Sequence, residues 1–378
     1  MATKLHRDIG LYVHIPFCKQ RCHFCAFYLE VARPERMRSF CAALAQEILL
    51  YRQDGLVGHR ALRSIYFGGG TPTALPAMQL VSLLQLIQQA WSTESSVEIT
   101  VEAHPSTVSR RDLHILADAG FNRISFGAES MDEHDFTRIG RPGRVQDAGS
   151  AVEAARAAGF TNINLDLMYG LPGQSLASWT ETVHSLLALE PTHVSCYALT
   201  IEDGTTLAEN IARNVVPRID ETLQVDMESA AESLLKESGF DQYEISNYAK
   251  PGFPCSHNLL YWTGGDYLGL GPSSQSYVNG IRFGTVPNLT AYTESLNIGR
   301  LPIVERIALS DAEQQRDALV FGLRRMEGVP RHLLRPDMPQ HQILVQLSRH
   351  GMIECNGDYI RLTAQGRRYA DSVAQELY

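Results

Sequence analysis

Two rhythms of apolar and polar residues alternate along the first two thirds of the chain. Short runs rich in β-branched and aromatic residues predict strands over 10–15, 63–67, 97–102, 123–126, 162–168 and 193–199. Between them apolar residues recur at helical spacing, as at Phe40, Leu44, Ile48 and Tyr51, and predict helices over 36–51, 77–90, 109–119, 145–158 and 175–189. A strand–helix repeat of this kind forces parallel strands joined by right-handed crossovers. The expected architecture is therefore α/β, a partial (β/α)6 barrel spanning residues 1–245, with its chemistry at the C-terminal strand ends.

The rhythm then changes. Residues 246–300 are rich in Gly, Pro, Asn and aromatics and read as a long loop system of the kind that forms a functional lid. Helix patterns over 311–325 and 341–350, a hairpin turning at Asn356-Gly357 and a last helix suggest a C-terminal α+β, winged-helix-like domain over 301–378. The charges of this tail are mixed and form no dense basic recognition helix, which favours a structural or partner-docking role over DNA binding.

Composition narrows the class. Hydrophobic residues make up 44% and charged residues 20%, ordinary for a globular protein, and a net charge of −9 argues against non-specific nucleic-acid binding. The most apolar runs, 42–50 and 81–87, fall far short of the ~20 residues a bilayer helix needs. The first eight residues hold no apolar core for export, and seven cysteines, an odd number, read as reduced thiols; the expected location is the cytoplasm.

Three of those cysteines carry chemistry. Cys18, Cys22 and Cys25 form a CxxxCxxC run just after the first strand, so one short loop can aim three thiolates at one place. Three soft ligands suit the corners of a [4Fe–4S] cubane and leave the fourth iron open. Zinc normally takes four ligands, and although His14 and His23 are near, no second CxxC or HxxxH knuckle follows. The spacing favours the cluster over zinc or over core thiols, and Cys255 is the only serious rival to these three ligands.

Each later strand ends in a distinctive group. The second leads into Gly68-Gly69-Gly70-Thr71, either a tight turn or a place where backbone approaches a ligand. The third ends at Glu102, which by itself is as readily a solvated acid, and the fourth at Glu129, with Arg141 in the turn beyond, a helix cap or a fork for a carboxylate. The fifth holds Asp166 inside an apolar run, costly unless paired or liganded. Further on, His257-Asn258-Leu-Leu-Tyr261-Trp262 offers one imidazole and two aromatic faces; on residue types alone a capped turn and core packing are the favoured reading.

The cysteine run, with Phe24 before its last cysteine, resembles the signature of the radical S-adenosylmethionine (radical SAM) superfamily. In order, the motifs are similar to those of one branch, the oxygen-independent coproporphyrinogen III oxidases and the HemW-type haem chaperones. The resemblance implies that S-adenosylmethionine chelates the open iron and is bound through Tyr12, Phe24, Gly69, Gly70, Thr71, Glu102, Glu129, Arg141, Asp166 and Ala198. Within the branch, the oxidases carry a further cysteine where this chain has Phe27, and have a longer segment before the first strand. The HNxxYW run matches the chaperones' haem-associated motif, which assigns haem to His257, Tyr261 and Trp262. The resemblance thus implies a haem chaperone with haem as cargo and acceptor haemoproteins, soluble or membrane-bound, as partners; a homodimer is compatible with it. Radical decarboxylation of coproporphyrinogen III, a step of porphyrin biosynthesis, is the alternative. Glu129 stands where glutamine is usual, and His104 where asparagine is usual.

Overall fold

Strand alternation decides how the barrel is built. In the computed structural model, which describes residues 8–218, 220–334, 338 and 340–378, six parallel strands form its centre: β1 (Asp8–Ile15), β2 (Ala61–Gly69), β3 (Thr93–Ala103), β4 (Arg123–Glu129), β5 (Asn162–Tyr169) and β6 (His193–Ala198). Of the first eight residues, in which no export signal is expected, Met1 to Arg7 lie outside the described residues. Alternate residues such as Ile65 and Phe67, Ile124 and Phe126, and Leu165 and Leu167 are buried in the main core. Their neighbours, among them Ser64 and Tyr66, Arg123 and Ser125, and Asn164 and Asp166, fall on the opposite face. One face thus packs on helices while the other makes a polar lumen.

Helices α1 (Pro34–Asp54), α2 (Ala77–Ala90), α3 (Arg110–Asp118), α4 (Gln146–Ala157), α5 (Leu176–Leu187) and α6 (Glu221–Glu237) follow the six strands in turn. On α1 the predicted stripe of Phe40, Leu44, Ile48 and Tyr51 is buried, each such side chain contributing about 1.5–3 kcal/mol. Ser109 and Ser175 close capping boxes at the starts of α3 and α5, which is why those helices begin where the serines stand. The (β/α)6 partial barrel expected from the sequence is the fold observed, but α6 carried no sequence expectation.

The region expected as loop is corrected by the structure. Residues 246–300 hold β8 (Asn247–Ala249), which pairs with β7 (Asp241–Glu244), then α7 (Ser256–Trp262), β9 (Tyr267–Leu270), β10 (Gln275–Val278), β11 (Ile281–Thr285) and α8 (Leu289–Asn297). Their strands are only three to five residues long, so the glycines and asparagines of the turns between them dominated the pattern. With β12 (Ile303–Ala308) they extend one sheet of twelve strands, ordered β12-β11-β10-β9-β1-β2-β3-β4-β5-β6-β8-β7. A boundary at 300/301 therefore cuts through that sheet.

Beyond β12 lies the C-terminal winged-helix-like unit. It contains α9 (Asp311–Gly322), α10 (Gln340–Arg349) and a hairpin of Ile353–Asn356 and Tyr359–Leu362 whose two turn residues are Gly357 and Asp358, one position later than expected. A separate apolar core of Leu319, Leu323, Leu344, Ile353 and Leu362 holds it together. Among the described residues no helix is long and apolar enough to cross a membrane.

Candidate functional site

The chain leaves β1 at the C-terminal rim and enters the loop bearing the three cysteines. Thr71 donates its amide to the Phe17 carbonyl at 2.8 Å, His23 to Ile139 at 2.9 Å, and Leu207 to His23 at 2.8 Å. Phe24 packs in an apolar cluster with Ile139, Met168, Leu199 and Leu207. The loop is thereby tied to the loops beyond β2, β4 and β6.

Cys18, Cys22 and Cys25 are half-buried free thiols. Burial raises all three, Cys22 to about 11, while the Arg141 charge pulls Cys18 and Cys22 the other way. Among the described residues no three Cys, His, Asp or Glu side chains converge where a single metal ion would sit. A cubane has a different requirement, one sulfur for each of three separate irons. Gly70 clears room beside the first of them: a Cβ there would stand 3.1 Å from Cys18 Sγ and 2.8 Å from the Phe17 carbonyl. The donor set and this clearance fit a cluster. Cys255 lies elsewhere, fully buried, with its thiol donating to Glu98 at 3.3 Å.

A polar pocket adjoins the cysteine loop. Glu102 accepts hydrogen bonds from Tyr66 Oη at 2.8 Å and from the Gly69 amide at 3.2 Å. Gly69 can present that amide because it has φ +114°, and a Cβ there would meet the His14 ring at 2.9 Å. Burial raises the Glu102 carboxyl to about 7, and burial followed by the Glu129 charge raises Asp166 to about 6. Asn164 donates to Asp166 at 2.7 Å.

Glu129 adopts φ +66°, a left-handed conformation that costs a non-glycine residue on the order of 1–3 kcal/mol. Tyr197 Oη donates to it at 2.7 Å, and Arg141 Nη1 lies 3.7 Å from its other oxygen. Arg141 also donates to the Gly127 carbonyl and stacks over Phe136, while its buried Nε has no partner. Arg141 is thus a pocket residue and not a helix cap. His104 explains its own departure from asparagine: Nδ1 accepts the Ser106 amide at 3.2 Å and caps the short helix Pro105–Thr107, as asparagine would.

Of the predicted cofactor residues, Tyr12, Glu102 and Asp166 point into the lumen, Gly69, Gly70 and Thr71 form its β2 lip, and Ala198 ends β6, exposed. Tyr66 and Tyr197, hydrogen-bonded to Glu102 and Glu129, were missed; their alternation with outward apolar residues was the available signal.

The HNxxYW run forms α7, which closes the N-terminal end of the barrel. His257 is 1% exposed, bonded through Nδ1 to Ser64 Oγ and through Nε2 to Tyr261 Oη, both at 2.8 Å, and stacked on Tyr66. Trp262 is directed instead toward the C-terminal unit, against Phe321 and beneath Arg324. The three residues expected to share one haem wall therefore face two environments, since consecutive positions on a helix diverge by about 100°.

Comparison with known proteins accords with this arrangement. Residues 12–186 match the model of the radical SAM superfamily. The chain is 31% identical to the haem chaperone HemW of Bacillus subtilis, over 96% of this chain and 97% of that one. It is 32% identical to the haem chaperone HemW of Escherichia coli, over 97% of both chains. Among solved structures, coproporphyrinogen III oxidase (HemN) of Escherichia coli aligns with a TM-score of 0.85 at 23% identity, covering 98% of this chain and 90% of that one, which establishes the fold. The chain belongs to the HemW-type haem chaperones of the radical SAM superfamily.

Proposed function

We propose that this protein is a cytoplasmic haem chaperone that binds haem and passes it to acceptor haemoproteins. The observation that carries the reading is the 31–32% identity to haem chaperones over 96–97% of the chain. Phe27, 71% exposed, occupies the position where the oxidases have a further cysteine and speaks against oxidase chemistry.

Cys18, Cys22 and Cys25 would hold a [4Fe–4S] cluster, with S-adenosylmethionine beside it on Tyr12, Phe24, Gly69, Gly70, Thr71, Glu102, Glu129, Arg141, Asp166 and Ala198. When bound, such a cluster supplies one electron to the cofactor's sulfonium. The chain's own residues would orient and enclose it: Arg141 would meet the cofactor carboxylate, Glu102 and Asp166 would face its cationic groups, and the aromatic lumen would limit water.

His257 would serve haem through Nε2, exchanging the Tyr261 hydroxyl for iron, with Tyr261 against the macrocycle and Trp262 fixing α7 from behind. Haem titration followed in the Soret region tests this. The wild type is expected to bind one haem with a band that shifts in His257→Ala, the iron content of the cluster being equal in both. Identical Soret spectra and affinities in the two proteins would remove His257 from the site.

A further inference from the structure

The polar groups of the barrel lumen are mostly satisfied from within. Glu98 accepts the amides of Ser256 and His257 at 3.0 and 3.1 Å, and the Cys255 thiol as well. His193 bonds Asn164 Oδ1 at 2.6 Å and Tyr243 Oη at 2.8 Å, while the Asn164 amide donates to Ser125, Asp166 and Ser195.

Arg123 stands apart. It is 1% exposed, yet its Nε and Nη1 have no hydrogen-bond partner. Neither has the hydroxyl of Thr100, which is 0% exposed. The two residues are register neighbours across β3 and β4, and Tyr66 is the neighbour of Thr100 across β2 and β3. Cationic N–H groups left unbonded in a dry interior are costly, and such groups call for an occupant. Glu98 is an anion of this floor whose charge acts on Arg123, but its oxygens are engaged by the amino end of α7. Above this level Tyr12, Tyr66, Glu102 and Asp166 point inward and are half-buried. His257 shares the floor: burial and then the Arg123 charge push its imidazole down to about 3.

We propose that Arg123 and Thr100 form a carboxylate receptor at the barrel floor, taking a propionate arm of the tetrapyrrole that His257 ligates. A guanidinium and a hydroxyl together offer the charge-assisted donors a carboxylate needs. Naming the propionate of haem rests on the reading above, whereas the receptor itself rests on the unpartnered donors. His257 and Arg123 then act on one ligand, the first on its iron and the second on its carboxylate.

The test titrates cluster- and cofactor-loaded protein with haem, haem dimethyl ester and coproporphyrin III, in the wild type, Arg123→Met and Thr100→Val. The wild type is expected to prefer haem over its ester by roughly ten- to a hundredfold. Arg123→Met should abolish that preference, and Thr100→Val, which leaves the charge in place, should reduce it. Iron content, S-adenosylmethionine binding and thermal midpoint report whether each variant is folded. Binding of coproporphyrin III that depends on Arg123, with no binding of haem, would sustain the receptor and sink the haem reading. Tetrapyrrole binding of equal strength in wild type and both variants, or an ester bound as tightly as haem by the wild type, would overturn the proposal. So would a wild type that binds no tetrapyrrole.

Discussion

Single residues set the behaviour of the pocket through the cost of burying charge. Glu102, raised to about 7, and Asp166, raised to about 6, hold protons more tightly in the native state than in the unfolded chain. A carboxyl raised in this way stabilises the fold less as pH rises, so the empty barrel loses stability between about pH 4 and pH 7. A cationic ligand reverses the preference. The stabilisation that S-adenosylmethionine confers should grow from about pH 5.5 to about pH 7.5, and Glu102→Gln should flatten the trend; thermal midpoints with and without the cofactor check this. Arg141→Ala should weaken S-adenosylmethionine by about 1.5–3 kcal/mol through loss of a charge-assisted contact, and unchanged calorimetric affinity would remove Arg141 from the site. Alanine at Cys18, Cys22 or Cys25 should each prevent a full cluster, whereas Cys255→Ala should keep it, because Cys255 is buried against Glu98; iron and sulfide content decides. The cysteines were legible because their spacing is local. The left-handed Glu129 and the Arg123 floor were not, since each depends on neighbours more than 10 residues away in the chain.

At the scale of elements, the strand alternation was legible but only half used. Residues such as Ile163, Leu165 and Leu167 signalled strands through their apolar face, while Asn164, Asp166, Ser195 and Tyr197 had already marked the other face as a polar lumen. The helix α7 was read as a haem-bearing loop, because nothing local announces that Glu98, more than 150 residues earlier, accepts its first amides. That contact has a consequence for stability. Glu98→Ala strips two buried amides of their acceptor and leaves Arg123 without its neighbouring anion, which should cost about 3 kcal/mol in denaturant unfolding. A loss below about 0.5 kcal/mol would mean that α7 docks by apolar contact alone.

For the whole molecule, the βα repeat made the barrel readable through its sixth strand, though not its last helix, since a periodic pattern reports each unit separately. The sheet extension through β12 was not readable, because short strands between glycine-rich turns gain their stability only from pairing with distant partners. The same geometry leaves two chemistries to separate, carriage and catalysis. The deciding measurement is made anaerobically on one preparation, with cluster and S-adenosylmethionine loaded, supplied in parallel with haem plus an apo-haemoprotein and with coproporphyrinogen III. A haem chaperone should transfer its haem to the apoprotein and leave coproporphyrinogen III unconsumed; sustained decarboxylation of coproporphyrinogen III with no haem transferred would contradict the account.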